Sequence, residues 1–114
     1  WPKLQEFARR TGKIFVPSVG PGYVDTRIRP WNGSTTRDRK QGAYYDRMFR
    51  AALDSGASVI SITSYNEWHE GTQIEPAVPK QIDGFTYLDY VPLSPDHYLK
   101  RTAYWVQALG KRFR

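Results

Sequence analysis

Residues 61–76 read SITSYNEWHEGTQIEP and set two carboxylates, Glu67 and Glu70, on either side of Trp68 and His69, directly after a nearly uncharged apolar run. A metal site, an acid/base pair and plain solvated charge all fit that spacing. His69 followed by Glu70 begins the metalloprotease pattern in which a second histidine four residues on completes the ligand pair, but that position holds Gln73. The other histidine, His97, belongs to no metal-ligand spacing, so neither a protein-held metal nor a cofactor is expected. Most carboxylates are exposed loop charges. Against that reading stand Tyr65, Asn66, Trp68 and Gly71 at the mouth of the apolar run, a mixture typical of a pocket. Aromatic faces pack against the C–H face of a pyranose, while Asn and carboxylates bond its hydroxyls, although Trp68 and Tyr65 could equally serve as core residues. Glycosyl transfer to water needs two carboxylates, one to protonate the leaving oxygen and one to act as base or nucleophile. Residue types alone leave a catalytic pair and a non-catalytic carbohydrate-binding surface both open.

The elements that must position these groups alternate. Leu4, Phe7 and Ala8 are spaced as on a helix that stops at Gly12, and KIFVPSV predicts a strand over 13–16 closed by Pro17. Tyr45, Met48, Phe49, Ala52 and Leu53 form an apolar helical stripe ended by Gly56. Residues 57–64 then read as a parallel strand, with Val59, Ile60 and Ile62 covered on both faces. A last helix is expected with Ser94 as N-cap and Pro95 in its first turn, carrying Tyr98, Thr102, Trp105, Val106 and Leu109 on one face. Helix, strand, helix, strand, helix is the order of a parallel α/β sheet. Each strand-to-helix connection runs to about two dozen residues or more, against an ordinary handful, and both leave C-terminal strand ends, where parallel α/β folds bind ligands.

The chain has 114 residues, a length that suits one domain, and it starts at Trp1 without an initiator Met, so it could equally be a piece of a longer protein. With 39% hydrophobic and 15% aromatic residues it can fill a core, and no window is apolar enough for a membrane span. There is no Cys and hence no disulfide or thiolate chemistry. The net charge of +6 raises nucleic acid as a partner, with Arg27, Arg29, Arg37, Arg39 and Lys40 clustered. No nucleic-acid-binding signature accompanies it, and Lys100, Arg101, Lys111, Arg112 and Arg114 read as a solvated helix face, so no such partner is expected.

VGPGYVDTRIRPWN and ITSYNEWHEGTQIEPAVPK, with YLDY downstream, resemble in order and separation the C-terminal part of glycoside hydrolase family 99, the endo-α-1,2-mannosidases. The likeness covers nearly the whole chain, and its wording is nearest to the animal enzymes. It implies a (β/α)8 barrel, of which residues 1–114 would be a C-terminal portion of the catalytic domain with about two of the eight strands. It also implies retaining, metal-free hydrolysis of an internal α-1,2-mannosidic bond in glucose-capped high-mannose N-glycans; bacterial relatives act on α-mannans. Glu67 then matches the base that takes the proton of the substrate's 2-hydroxyl, whose oxygen closes a 1,2-anhydro sugar. Glu70 matches the acid that protonates the leaving oxygen and later activates water. Tyr23 resembles a tyrosine that bonds the reacting sugar or Glu70. Asn66, Trp68 and His69 fall in the substrate-binding group, and Trp31 and Glu75 in structural support. The resemblance further implies a Golgi lumenal protein anchored by an N-terminal segment, with which the Asn32-Gly33-Ser34 sequon is consistent. A segment without the remaining barrel walls is expected to hydrolyse no glycan by itself. The alternative is a non-catalytic carbohydrate-binding or inactive paralogue, and oligomeric state is not legible.

Overall fold

The computed structural model describes residues 1–112, so Arg114 of the basic C-terminal group lies outside the described residues. Helix α1, Pro2–Arg10, opens on a proline whose missing N–H costs nothing in the first turn, and it ends with Arg9 and Arg10 at the negative end of the helix dipole. Gly12, at φ 65°, turns the chain out of it. Its buried residue is Ala8, whereas Leu4 and Phe7 are exposed.

Strand β1 is Ser18–Val19, not the expected 13–16. β-branched residues suit a ladder without supplying one, and Ile14 is 75% exposed with no ladder partner among the described residues. Pro17 opens the strand: it cannot donate, but its carbonyl accepts the Ser61 N–H at 3.0 Å. β2, Ser61–Ile62, pairs with β1 in parallel, Ser18 opposite Ser61 and Val19 opposite Ile62. The predicted burial of this strand on both faces does not hold, since Val59 is 48% exposed and Ile60 and Ile62 are half-buried. With one parallel neighbour in the described residues, one side packs on the core and the other lacks a cover.

Helix α2, Ala43–Asp54, buries Tyr45, Phe49, Ala52 and Leu53 along the expected stripe and ends near Gly56, at φ 81°. Helix α3, His97–Lys111, starts later than expected and takes Asp96 as its N-cap residue. The Ser94 hydroxyl is used on Asp96 Oδ1 at 2.7 Å, and its carbonyl accepts the His97 N–H at 2.9 Å, so Ser94 and Pro95 form the turn ahead of the helix. Tyr98 and Trp105 are buried, while Val106 leaves the face and is exposed. Absent from the expected order is an antiparallel hairpin, β3 (Gln81–Ile82) and β4 (Phe85–Thr86). Asp83 and Gly84, at φ 50° and 77°, are the Asp-Gly pair that a two-residue hairpin turn demands.

The core sits between α2, α3 and β1, with the loop residues Ile74, Ala77 and Tyr90. Phe49 stacks on Trp105 with planes 6° apart and centroids 5.6 Å apart, and Tyr45 meets Phe49 edge-on at 4.9 Å. Between α2 and α3 the polar side chains pair with one another. Asp46 of α2 accepts from Arg101 and Trp105 of α3 at 3.0 and 2.8 Å. Thr102 donates to the Tyr98 carbonyl at 2.7 Å, so the Tyr45 hydroxyl donates to Thr102 at 2.9 Å. Burial pushes the Tyr45 phenol up to about 12, which keeps it a neutral donor at ordinary pH. The architecture is α/β: a parallel strand pair flanked by helices, from whose C-terminal ends both long loops depart. The barrel itself is not displayed by these strands.

Phe49→Ala should destabilise the fold by about 3–5 kcal/mol, because it removes a fully packed ring from between α2 and α3. Chemical unfolding of the protein reads this directly, and a loss below about 1 kcal/mol would contradict the packing described.

Candidate active site

The loop that follows β2 is drawn closed at its neck. The Ser64 N–H donates to the Thr72 carbonyl at 2.9 Å, and the two hydroxyls meet at 2.7 Å. Within the loop the Thr72 N–H reaches the Glu67 carbonyl at 3.1 Å, and the Ile74 and Glu75 N–H groups both reach the Tyr65 carbonyl at 2.9 Å. Thr72, Gln73 and Ile74 are buried, whereas Tyr65, Asn66, Glu67 and His69 stand out on the rim. Gly71 has φ 59°, and a Cβ there would lie 2.7 Å from Val24 Cγ1 and 2.8 Å from Leu88 Cδ1. Glycine is therefore required twice, for the backbone conformation and for the space. From the first long loop, Arg39 donates to the Gly71 and Gln73 carbonyls at 2.9 and 2.8 Å. Gln73 donates to the Leu88 carbonyl at 2.8 Å, which ties the neck to the segment after the hairpin.

On this frame the two glutamates take different surroundings. Glu67 accepts the His69 N–H at 3.2 Å and borders an open cavity of 580 Å³, together with Asn66, Trp68, His69, Glu75 and Tyr87. Trp68 is half-buried, donates to Glu75 at 2.9 Å and meets Tyr87 edge-on at 6.1 Å, so two aromatic planes at 85° form a corner in the cavity wall. Glu75 thus both lines the cavity and holds Trp68, and Tyr87 is a wall residue that the sequence reading missed. Glu70 does not border this cavity. It lies against the segment after β1, where its carbonyl accepts the Val24 N–H at 2.9 Å and its Oε1 is 3.5 Å from Arg29. Asn66, Trp68, His69 and Glu67 are brought together, with Glu70 adjoining through Gly71 and Arg29.

Tyr23, expected to bond the reacting sugar or Glu70, has a carboxylate partner of its own in the structure. Its hydroxyl donates to Asp25, not to Glu70. Asp25 is fully buried, and its Oδ2 also accepts from Arg29 at 2.5 Å and from Asn32 at 3.2 Å. The Tyr23 hydroxyl holds the Asp25 carboxyl below the usual aspartate range, helped by Arg29 and Asn32 and opposed by burial. The same bond to Asp25 raises the Tyr23 phenol above its ordinary value. The sequence signal was present in YVDTRIRPWN, where Arg29 follows Asp25 at a one-turn interval, but Asp25 carries no mark of burial in the sequence itself. Asn32 Nδ2, the atom to which a glycan on the sequon would be attached, is one of the donors that hold Asp25. Trp31, expected to give structural support, is 81% exposed.

The sequence profile of glycosyl hydrolase family 99 matches residues 1–111. Rat "glycoprotein endo-alpha-1,2-mannosidase" is 54% identical over 97% of the chain and 24% of its own length. The human "glycoprotein endo-alpha-1,2-mannosidase-like protein" is 50% identical over 94% of the chain and 23% of its own length. A solved GH99 endo-alpha-mannosidase of Bacteroides thetaiotaomicron superposes with a TM-score of 0.92 at 68% identity, covering 97% of this chain and 33% of that one. The same enzyme in complex with Bis-Tris propane gives a TM-score of 0.92 at 67% identity. The chain thus spans about a quarter of the length of the curated relatives and about a third of the solved bacterial chain. Identity is higher to the bacterial enzyme than to the animal proteins, which reverses the expectation that the wording is nearest to the animal enzymes.

Because the folded-state value of Asp25 is lowered, its contribution to stability is complete above the ordinary aspartate value of about 3.9 and disappears as pH falls through the lower folded value. Asp25→Asn should therefore lower Tm at neutral pH. The gap between wild type and variant should hold constant down to about pH 5 and narrow below about pH 4. A gap that persists unchanged to the acid limit would show that Asp25 is not held as a carboxylate.

Proposed function

The chain belongs to glycosyl hydrolase family 99, and on that premise we propose that it supplies the acid/base pair of a retaining, endo-acting α-mannosidase. Glu67 takes the proton from the 2-hydroxyl of the mannose whose bond is cut, and that oxygen attacks the anomeric carbon to close a 1,2-anhydro sugar. Glu70 gives its proton to the departing oxygen. In the second half Glu70 removes a proton from water, the water oxygen bonds to the anomeric carbon, the anhydro ring opens, and its oxygen recovers the proton from Glu67. Two displacements at one carbon return the starting configuration.

The observation that carries this reading is the separation of the two carboxylates by environment on a single pinned loop. Glu67 borders the open, aromatic-walled cavity, and Glu70, three residues on, lies outside that lining against the first long loop. The contact of Arg29 with Glu70 is loose. Asp25 lies closer to that guanidinium, at 2.5 Å against 3.5 Å, so the arginine's charge is largely met by Asp25 and a leaving oxygen can take its place beside Glu70. The crossed Trp68 and Tyr87 rings offer apolar planes to a pyranose, with Asn66 and His69 as polar neighbours. The bond proposed is an internal α-1,2-mannosidic one. Its carrier is the glucose-capped high-mannose N-glycan that the resemblance implies, or an α-mannan, which the higher identity to a bacterial enzyme makes the natural comparison. The expected Golgi setting and membrane anchor draw no support from a chain more similar to a bacterial enzyme than to the rat protein.

Kinetics in the intact parent protein test the division of roles. Glu70→Gln should cut turnover of a natural mannoside by about 10²–10⁴-fold and cost far less with an activated aryl leaving group, which departs without a proton. Glu67→Gln should suppress both substrates, because the ring-closing attack fails whatever leaves. Both variants should still bind glycan. Equal losses on both substrates would refute the assignment, and a protein with binding but no turnover would be the carbohydrate-binding paralogue.

A further inference from the structure

His69 borders the cavity next to Glu67, and one of its ring nitrogens is already engaged within the protein: Arg27 Nη1 lies 3.0 Å from Nδ1. A guanidinium has five N–H donors, no acceptor, and does not lose its proton in proteins. A hydrogen bond between the two requires Nδ1 to bring a lone pair. A neutral imidazole with a bare Nδ1 carries its proton on Nε2. The partner thus decides the tautomer, as second partners of functional histidines do.

Arg27 is itself held. Its guanidinium carbon sits 3.8 Å from the centre of the Phe85 ring on β4 and 5.1 Å from the centre of the Tyr87 ring. Those rings meet edge to face at 4.9 Å, and Tyr87 continues to His69 at 5.8 Å between centroids. A planar cation against two aromatic rings keeps its orientation where an ammonium would not. The β3–β4 hairpin, left without a role in the acid/base chemistry, is what delivers both rings.

We propose that Arg27, oriented by Phe85 and Tyr87 of the hairpin segment, fixes His69 as the neutral Nε2–H tautomer, so that His69 offers a hydrogen-bond donor to a hydroxyl or ether oxygen of the sugar bound next to Glu67. Arg27 is a positioning residue and acts through the imidazole. The ligand assignment rests on the carbohydrate reading of the cavity, whereas the tautomer does not.

The test is nitrogen-15 NMR of the imidazole in the intact parent protein, with His69→Gln as the difference reference that identifies the two ring signals. Wild type without substrate should show Nδ1 at the shift of a bare nitrogen and Nε2 at that of an N–H, without averaging. Arg27→Lys should average the two tautomers and raise KM for the mannoside about two- to tenfold, the size of one hydrogen bond, with a smaller change in kcat. Phe85→Leu keeps every hydrogen-bonding group and should shift both readouts in the same direction by less; it serves as the second probe if Arg27→Lys does not fold. A proton on Nδ1 in wild type, averaged tautomers in wild type, or an Nε2–H tautomer and KM unmoved by Arg27→Lys would each overturn the proposal. Because the tautomer is read without substrate, a parent protein inactive on every mannoside would sink the proposed function while the spectrum still decided the role of Arg27.

Discussion

Arg39 is the joint on which the site depends. It leaves the first long loop, donates to the Gly71 and Gln73 carbonyls in the second, and lies 5.1 and 4.7 Å from the ring centres of Tyr90 and Tyr98. Its remaining buried nitrogens, Nε and Nη1, have no hydrogen-bond partner, and the rings provide the compensation that a lone buried cation lacks. Tyr90 closes the circle by donating to the Gln73 and Glu75 carbonyls at 3.0 and 2.7 Å. Burial pushes its phenol up to about 12 despite the pull of Arg39, so this donor stays protonated. One half-buried side chain thereby joins both loops that leave the parallel strands to the helix that packs behind them.

That joint explains how a mobile class of structure, a loop, can carry paired carboxylates at fixed positions. The neck of the loop is bonded across itself, to Arg39 and to the segment after the hairpin, and the rim stands exposed. Along the rim, successive residues diverge into distinct environments: Glu67 and His69 to the cavity, Trp68 inward to Glu75, Glu70 toward Arg29. Chemically similar groups meet different surroundings, and those surroundings come from three separate stretches of chain.

The helices were legible because their signal is local. The stripe of α2 and the terminal Gly12 and Gly56 state themselves in the order of residues. The two parallel strands were legible in existence but not in position or extent, since a ladder depends on a neighbour: apolar residues 13–16 have the composition of a strand and no partner among the described residues, while Pro17, which looks like a terminator, accepts the opening bond. The carboxylate pair could be found from spacing and aromatic company. Asp25 has its partners within seven positions but no mark of burial, whereas Tyr87 and Arg27 could not be singled out at all, because their meaning comes from residues distant in the chain. The Asp83-Gly84 turn was written in the sequence, and what it carries, a pair of rings for Arg27, was not.

The commitment of Asn32 has a practical side. Its amide nitrogen faces Asp25 and Tyr23 within the folded protein, yet the Asn32-Gly33-Ser34 triplet matches the acceptor pattern for oligosaccharide transfer. A host that glycosylated this triplet during synthesis would place a bulky group on the atom that helps to hold a buried carboxylate. Folding and modification then compete for one nitrogen, and the choice of expression organism becomes a structural variable: material made in a bacterial cytoplasm and material made in a secretory host would be two different molecules at this position.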